Sequence, residues 1–300
     1  MLAPERGFTQ AQISETPLPV AGIPSHHPIS APGLSGGDGK WSPAAMHSVA
    51  LSDLVRHCEN RLQPSRFTDY DGAVNGLQFE NRGRVTRIAA AVDGTLAVAR
   101  KAVAAGADLL LVHHGLFWGK TVPWTGRRAE LLRLLVEHNL AVYSQHLPLD
   151  GHPQLGNGAQ LARALGFRRL KPFFDHKGAA LGVQTTLAKP MAREALGQRL
   201  ETVLGGPVRL LPGGGPTCHR IGICTGGAGS ELLQARQEGV DTFITGEGPH
   251  WTFALAEEAG LNTFYGGHYA TETWGVKALA AELGTKFGIP WVFVDHPSGL

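Results

Sequence analysis

The chain has 300 residues and 43% of them are hydrophobic, which is enough for two domains with separate cores. The 27 basic residues nearly balance the 25 acidic ones, and a net charge of +2 does not favour nucleic-acid binding. Three scattered cysteines exclude a disulfide framework and a CxxC site, and they indicate a reducing compartment. No apolar run could span a membrane and no signal-peptide pattern is present, so we expect a soluble cytoplasmic protein without membrane contact.

The N-terminal region differs in composition from the rest of the chain. It is rich in Pro, Gly and Ser and lacks periodic apolar residues, which predicts a disordered tail over residues 1–46. Helical spacing of apolar residues begins after Met46, with Leu51, Leu54 and Val55. Two interpretations stay open: Met46 is the natural start of the protein, or the tail is a genuine flexible arm.

Strand-like and helix-like segments alternate after Met46. The pattern predicts strands at 85–92, 108–113 and 140–144, and helices at 96–105 and 129–138. Alternation of this kind, with short loops, is typical of parallel sheets that carry helices on their faces.

An internal repeat organises the chain. The segment from Arg87 to Trp118 matches the segment from Arg220 to Trp251 without a gap, and the later phrases VYSQHLPLD and FYGGHYATE also correspond. Each half closes on a similar phrase, FFDH in the first half and FVDH in the second. We therefore predict two similar α/β sandwich domains from an internal duplication, at 47–176 and 177–300, with a metal site in the crevice between them.

Five candidate metal ligands follow predicted strands, where ligands bind in α/β sheets. They are His113, His114, Asp150, His268 and Glu272. His268 and Glu272 are four residues apart on a helix and share one face, and the two carboxylate oxygens of Glu272 suit a bridge between two ions. Asp150 would complete one ion and leave positions open for water. Zn, Mn, Fe or Ni would all suit three imidazoles and two carboxylates.

Each of these signals has a purely structural alternative. A His pair after a strand can be solvated, a His and a Glu four apart can form a surface pair, and Asp150 can cap a turn. The common location at strand ends favours metal binding. We assign His146 to catalysis as a general acid/base, or to contact with substrate or with Asp150. The loop TGGAGS at 225–230 is either a phosphate-binding turn or a plain tight turn.

Five motifs in a fixed order resemble a known family. They are DGAVNGLQFE (71–80), ADLLLVHHGLFW (107–118), VYSQHLPLD (142–150), FITGEGPHW (243–251) and GGHYATETWG (266–275). From about Met46 to Leu300 the chain resembles the Nif-three-like family of dinuclear-metal hexameric proteins, often named GTP cyclohydrolase type 2 homologues. The resemblance implies two similar α/β domains, two divalent ions per subunit on the five residues named above with Glu272 as the bridge, and a homo-hexamer.

Two functional hypotheses follow from the predicted metal pair. The first is a metal-dependent hydrolase that acts on a small nucleotide-like or heterocyclic substrate, because paired ions lower the pKa of water and stabilise a developing oxyanion. The alternative is a metal-carrying oligomeric protein that binds or regulates without turnover. The ligand set is the same in both hypotheses.

Overall fold

The computed structural model describes residues 47–300, and the predicted tail over 1–46 lies outside the described residues. The α-helices are α1 (Leu51–Leu62), α2 (Leu96–Ala104), α3 (Gly126–Glu137), α4 (Leu147–Asp150), α5 (Asn157–Ala164), α6 (Arg193–Leu204), α7 (Leu232–Gln237), α8 (Thr252–Ala259) and α9 (His268–Phe287). The strands are β1 (Val49–Ala50), β2 (Gly76–Phe79), β3 (Arg84–Val85), β4 (Ile88–Asp93), β5 (Leu109–His114), β6 (Ala141–Ser144), β7 (Lys171–His176), β8 (Ala179–Ala192), β9 (Arg209–Pro212), β10 (Thr217–Ile223), β11 (Thr242–Thr245), β12 (Asn262–Tyr265) and β13 (Trp291–Phe293).

The predicted α/β class is confirmed, and the predicted elements of the first half are present with small shifts. The segment predicted as one strand at 85–92 contains two, β3 and β4, because β3 pairs with β1 outside the main sheets. The helix predicted at 129–138 begins three residues earlier, at Gly126. Among residues 47–300, no helix combines the length and the apolar character that a membrane crossing needs.

The first main sheet has five strands in the order β13-β4-β5-β6-β2. Neighbouring strands are parallel except β2, which is antiparallel to β6. Helices α1 and α9 cover one face, and α2 and α3 cover the other. Burial on both faces explains why β4 and β5 are nearly continuous apolar runs.

The second main sheet has six strands in the order β7-β8-β10-β11-β12-β9. Its centre, β10-β11-β12, is parallel, and β7, β8 and β9 are antiparallel additions. Helices α5 and α6 pack on one face through the Ile221 and Ile244 core, and α7 and α8 pack on the other around Phe243. Each sheet is therefore the middle layer of a three-layer sandwich.

The two halves of the sequence exchange elements. Helix α5 and strand β7 come from the first half but belong to the layers of the second sheet, whereas α9 and β13 come from the second half and belong to the first. The predicted domain boundary at residue 176 therefore separates β7 in sequence from the sheet that it joins. The physical reason is that each closing helix and strand buries its apolar side against the other half. The exchange also brings the residues that follow β6 close to the residues that follow β12.

Matching hydrogen bonds support the predicted duplication. The Asp108 carboxylate accepts hydrogen bonds from the backbone N–H groups of Thr86 (2.9 Å) and Arg87 (3.1 Å). At the corresponding position of the repeat, Asp241 accepts them from the N–H groups of His219 (3.0 Å) and Arg220 (2.8 Å). In each half, one carboxylate thus satisfies backbone donors just before the residues that begin the parallel pairing, Ile88 and Ile221.

Candidate metal centre

His113 and His114 end β5, the central strand of the first sheet. Because successive side chains point to opposite faces, each imidazole contacts a different neighbour. His113 donates from Nδ1 to the backbone oxygen of Gln145, beyond β6, at 3.0 Å, and His114 donates from Nδ1 to the Asp93 carboxylate, at the end of β4, at 2.8 Å. The ring centroids nevertheless lie 4.7 Å apart, so both rings face one crevice, as the sequence predicts.

His268 and Glu272 lie on the first turns of α9, the helix that crosses from the second half to the first sheet. Their side chains share a face, and Nε2 of His268 lies 3.1 Å from Oε2 of Glu272. Nδ1 of His268 donates to the Glu247 carboxylate at 2.8 Å. Glu272 is almost fully buried, with 3% exposure, so its charge is directed at the neighbouring imidazoles and not at solvent.

Asp150 ends the short helix α4, which follows β6 and begins the crossing in the other direction. Its Oδ1 accepts a hydrogen bond from the Asn157 side-chain amide at 2.9 Å. Its Oδ2 lies 3.3 Å from Nε2 of His113. One carboxylate oxygen is thereby fixed by the protein, and the other is directed to the histidines.

The two oxygens of Glu272 divide the cluster into two groups. Oε1 lies 3.6 Å from Nε2 of His113, which also faces Asp150. Oε2 lies 3.2 Å from Nε2 of His114 and 3.1 Å from Nε2 of His268. His114, His268 and Glu272 offer donor atoms close enough together to hold a metal ion. Glu272 directs its other oxygen to His113.

The hydrogen bonds create a mismatch that a cation would relieve. Each of the three histidines donates from Nδ1, so in the neutral imidazole Nε2 carries a lone pair that faces a carboxylate oxygen. Nε2 of His113 and Oε2 of Glu272 are buried without a hydrogen-bond partner among the described residues. Acceptors that face acceptors in a buried place are costly unless a positive charge lies between them. The donor set therefore fits a metal site.

The pKa values of the cluster are shifted in the directions that favour positive charge on the histidines and negative charge on Glu272. Burial alone would lower the pKa of His113, but the Asp150 and Glu272 carboxylates outweigh burial and hold it well above its usual range. The hydrogen bond with Glu272 is the main cause that raises the pKa of His268 to about 9. Burial would raise the pKa of Glu272, but the charge of His113 and the other imidazoles holds it well below its usual range. The cluster thus attracts positive charge, as protons or as metal.

Gly226 provides the space beside Glu272. It has a φ of +69°, and a Cβ at this position would collide with the Glu272 carboxylate and lie 3.3 Å from Nε2 of His268. Gly226 belongs to the loop TGGAGS at 225–230, and this loop lines the crevice. Its close approach to the carboxylate gives the glycine a steric role at the candidate metal centre.

His146 lies at the edge of the cluster, with its ring centroid 4.9 Å from that of His113. Its Nδ1 donates to the Asp69 carboxylate at 2.7 Å, and its backbone N–H donates to the Asn75 side-chain oxygen at 2.8 Å. The Asn75 amide also donates to Asp69, which fixes the carboxylate in turn. Together with His113 and His114, His146 forms a further group that could hold an ion.

A cavity of about 650 Å³ opens beside the cluster. His114, Asp150, His268 and Glu272 line it from the metal side, together with His146. Side chains of both sheets' layers contribute to the wall, because the exchanged helices bring them together. A small molecule in the cavity would contact the candidate ligands directly.

Comparison with known proteins shows the family of this chain. The family model Duf34/NIF3 (NGG1p interacting factor 3) matches residues 49–298. The chain belongs to the Duf34/NIF3 family. It is 42% identical over 252 residues to a Deinococcus radiodurans protein named GTP cyclohydrolase 1 type 2 homolog, covering 84% of this chain and 95% of that one. A protein of the same name from Halobacterium salinarum is 43% identical over 255 residues, covering 83% of this chain and 99% of that one. A crystal structure from Thermus thermophilus has a TM-score of 0.78 at 38% identity, covering 84% of this chain and 100% of that one.

Residues that the sequence analysis missed in this Duf34/NIF3 chain hold the histidines in place. Asp93, Glu247 and Asp69 each accept a hydrogen bond from one Nδ1. Asp93 ends the apolar strand β4. The rule that ligands bind at the carboxyl ends of strands, which located His113 and His114, could therefore have located Asp93 as well. Asp69 lies in a loop without periodicity, and no pattern in the sequence connects it with His146.

Proposed function

We propose that this protein binds two divalent metal ions and hydrolyses a small nucleotide-like or heterocyclic substrate. One observation carries the proposal: three imidazole Nε2 atoms face carboxylate oxygens at 3.1–3.6 Å while every Nδ1 is held by a protein acceptor. Metal-binding histidines have this outer support, which fixes the tautomer and the ring orientation.

The proposed ligands form two groups that share Glu272. His113 and Asp150 would hold one ion with Oε1 of Glu272, and His114 and His268 would hold the other with Oε2. Zn, Mn, Fe and Ni all accept this mixture of imidazole and carboxylate. A bound pair of such ions lowers the pKa of water and stabilises negative charge that develops on an oxygen.

The chain's own residues supply the proton chemistry in this proposal. Nε2 of His146 makes no hydrogen bond with the described residues, and the ring lines the cavity. The Asp69 carboxylate keeps the proton of the neutral imidazole on Nδ1, so Nε2 is free to take a proton from substrate or water and to return it. His146 is thus the proposed general acid/base.

Metal content tests the first part of the proposal. Glu272→Gln keeps the size of the side chain and removes the shared negative charge, so we expect loss of both ions by elemental analysis. Glu282→Gln is the matched control, because Glu282 lies on the same helix and pairs with Arg61 away from the cluster. Wild-type occupancy of both ions in Glu272→Gln would exclude the bridge.

Turnover tests the second part. Purified protein loaded in turn with Zn, Mn, Fe and Ni would be incubated with nucleotides, cyclic phosphodiesters and pterin precursors. We expect hydrolysis that requires metal and is absent in His114→Ala. Metal binding without turnover on any substrate class would favour the alternative, a metal-carrying oligomeric protein that binds or regulates.

We also propose a homo-hexamer in the cytoplasm. The motif resemblance supports the assembly, and the three buried, unpaired cysteines are compatible with a reducing compartment. Light scattering at micromolar concentration should give the mass of six subunits. The mass of one subunit would exclude the hexamer.

A further inference from the structure

The lining of the 650 Å³ cavity is acidic. Among the described residues, neither lysine nor arginine lines this wall. Its carboxylates are Asp93, Asp150, Glu231 and Glu272, and its histidines are His114, His146, His176 and His268. Proteins that bind polyphosphates usually provide lysine or arginine for the phosphate charges. Two divalent ions on the proposed ligands would offset the four carboxylates and would leave no protein cation for a phosphate chain.

Two large aromatic side chains form part of this wall although they are exposed to solvent. Tyr70 is 56% exposed and Trp118 is 37% exposed. Both contact the ring of His146, with centroid distances of 5.8 Å from Tyr70 and 4.8 Å from Trp118. Exposed aromatic surface beside a cavity is typical of a ligand-binding site.

The loops that carry these aromatic residues are fixed. The Trp118 indole N–H donates to the backbone oxygen of Gly115 at 3.0 Å, directly after the histidine pair. The backbone N–H of Gly119 donates to the oxygen of Asp71 at 3.1 Å. A Cβ on Gly72 would collide with the backbone of Gly119, so the two loops are in close contact. The aromatic wall is therefore formed before any ligand arrives.

The rest of the wall combines apolar surface with one carboxylate. Phe174, Leu181 and Ala228 also line the cavity. The Glu231 carboxylate lines the same cavity as Tyr70 and accepts no hydrogen bond from the described residues. A planar ring on the aromatic wall could donate N–H groups to Glu231.

We propose that this cavity recognises a planar heterocycle, neutral or cationic, that carries N–H donors, and that it does not select a nucleoside triphosphate. The inference rests on the proposed function only in placing the substrate beside the metal ligands. Tyr70 and Trp118 provide the stacking surface, and Glu231 accepts the N–H groups. The wall offers neither lysine nor arginine to a polyphosphate.

Equilibrium dialysis of the metal-loaded protein tests this inference without requiring turnover. The probes are pterin, guanosine and guanosine triphosphate, and bound metal is measured in parallel because a triphosphate can remove it. We expect pterin and guanosine to bind, and guanosine triphosphate to bind no more tightly than guanosine. Trp118→Ala should weaken pterin binding about tenfold or more, the usual effect of losing one stacking surface. Glu231→Gln should weaken it several-fold, because a charged acceptor is lost.

Trp251→Ala is the matched control. Trp251 occupies the position of Trp118 in the repeat, is 53% exposed and does not line the cavity, so its removal should leave binding unchanged. The inference is overturned if neither heterocycle binds below about 1 mM, if guanosine triphosphate binds at least about tenfold more tightly than guanosine, or if Trp118→Ala has no effect. Binding of a heterocycle, with no turnover of any substrate class in the turnover assay, would overturn the proposed hydrolase and leave the recognition of heterocycles standing.

Discussion

The Glu247 carboxylate lies 2.8 Å from Nδ1 of His268. In the internal repeat, Glu247 corresponds to His114, which faces the cluster directly. The corresponding residues of the two halves therefore differ in role: one directs a nitrogen to the candidate metal centre, and the other orients a histidine that does so. Gly246 corresponds to His113, and a Cβ there would lie 2.7 Å from Cα of His268, so a larger side chain would displace the helix.

The first prediction concerns Glu247. Replacing it with Ala removes the acceptor that fixes the orientation of His268, and we expect metal affinity to fall about 10- to 100-fold. Competition with a chelator of known affinity measures the change. Glu258→Ala is the control, since Glu258 is an exposed carboxylate on α8. Equal metal affinity in Glu247→Ala and wild type would show that the hydrogen bond has no supporting role.

The second prediction concerns pH in the metal-free protein. The pKa of His268 is about 9 in the folded chain against an ordinary value of 6.5, so protonated His268 stabilises the fold. The raised pKa means that this contribution is complete below about pH 6.5 and is lost as the pH rises through about 9. If the whole pKa shift of His268 acted on the free energy of unfolding, it would contribute roughly 3 kcal/mol. Because His268 is partly exposed, we expect a loss on the order of 1–2 kcal/mol.

Chemical denaturation of metal-free protein between about pH 6.5 and 9 measures this loss. The decline in the free energy of unfolding should be smaller in His268→Gln, which cannot take up the proton. It should also be smaller in metal-loaded wild type, because bound ions replace protons on the imidazoles. The same decline in wild type and His268→Gln would show that deprotonation of His268 does not cause the loss of stability.

The candidate ligands could be predicted from sequence because each one lies at the end of a strand or shortly after one. His113 and His114 end an apolar run, and His268 and Glu272 have helical spacing after another strand, so local patterns and the strand-end rule locate them. Their supports could not be predicted in the same way. Asp69 and His146 are 77 positions apart, and a hydrogen bond at that separation depends on loop conformation that periodicity does not describe.

The exchange between the halves also lies beyond the sequence pattern. The similar phrases FFDH and FVDH lie in β7 and at the end of β13, but they do not indicate which sheets these strands join. Trp291 pairs with Ile88 at the edge of the first sheet, and Phe173 pairs with Gly182 in the second. Edge pairing depends on which unpaired strand is within reach after the helices have packed, so it is a tertiary property.

The third prediction concerns the N-terminal tail. The family match begins at residue 49, and the helical pattern begins after Met46. We expect a 46–300 protein to have the metal content of the full chain and a Tm within about 2 °C of it. Thermal melts and elemental analysis of both proteins decide the question. A large loss of either property would show that the tail contributes to the fold.

The last prediction concerns the proton path through His146 and Asp69. Burial would raise the pKa of Asp69, but the hydrogen bond and charge of His146, together with hydrogen bonds from Asn75 and Tyr70, outweigh burial and lower that pKa to about 2, so Asp69 is ionised at neutral pH. On a substrate found by the turnover assay, His146→Gln should lower kcat about 10²- to 10⁴-fold, the usual contribution of a general acid or base. Asp69→Asn should lower it about 10- to 100-fold, because the acceptor that fixes the tautomer is weakened.

Both variants should keep the metal content of wild type, and this comparison separates proton transfer from metal binding. His138→Gln is the control, since His138 is exposed at the end of α3. Nitrogen NMR of His146 gives a readout that does not need turnover: the neutral ring should carry its proton on Nδ1 in wild type and lose that preference in Asp69→Asn. If His146→Gln instead loses an ion in proportion to its loss of activity, His146 is a metal ligand in the group with His113 and His114, and its assignment as general acid/base is wrong.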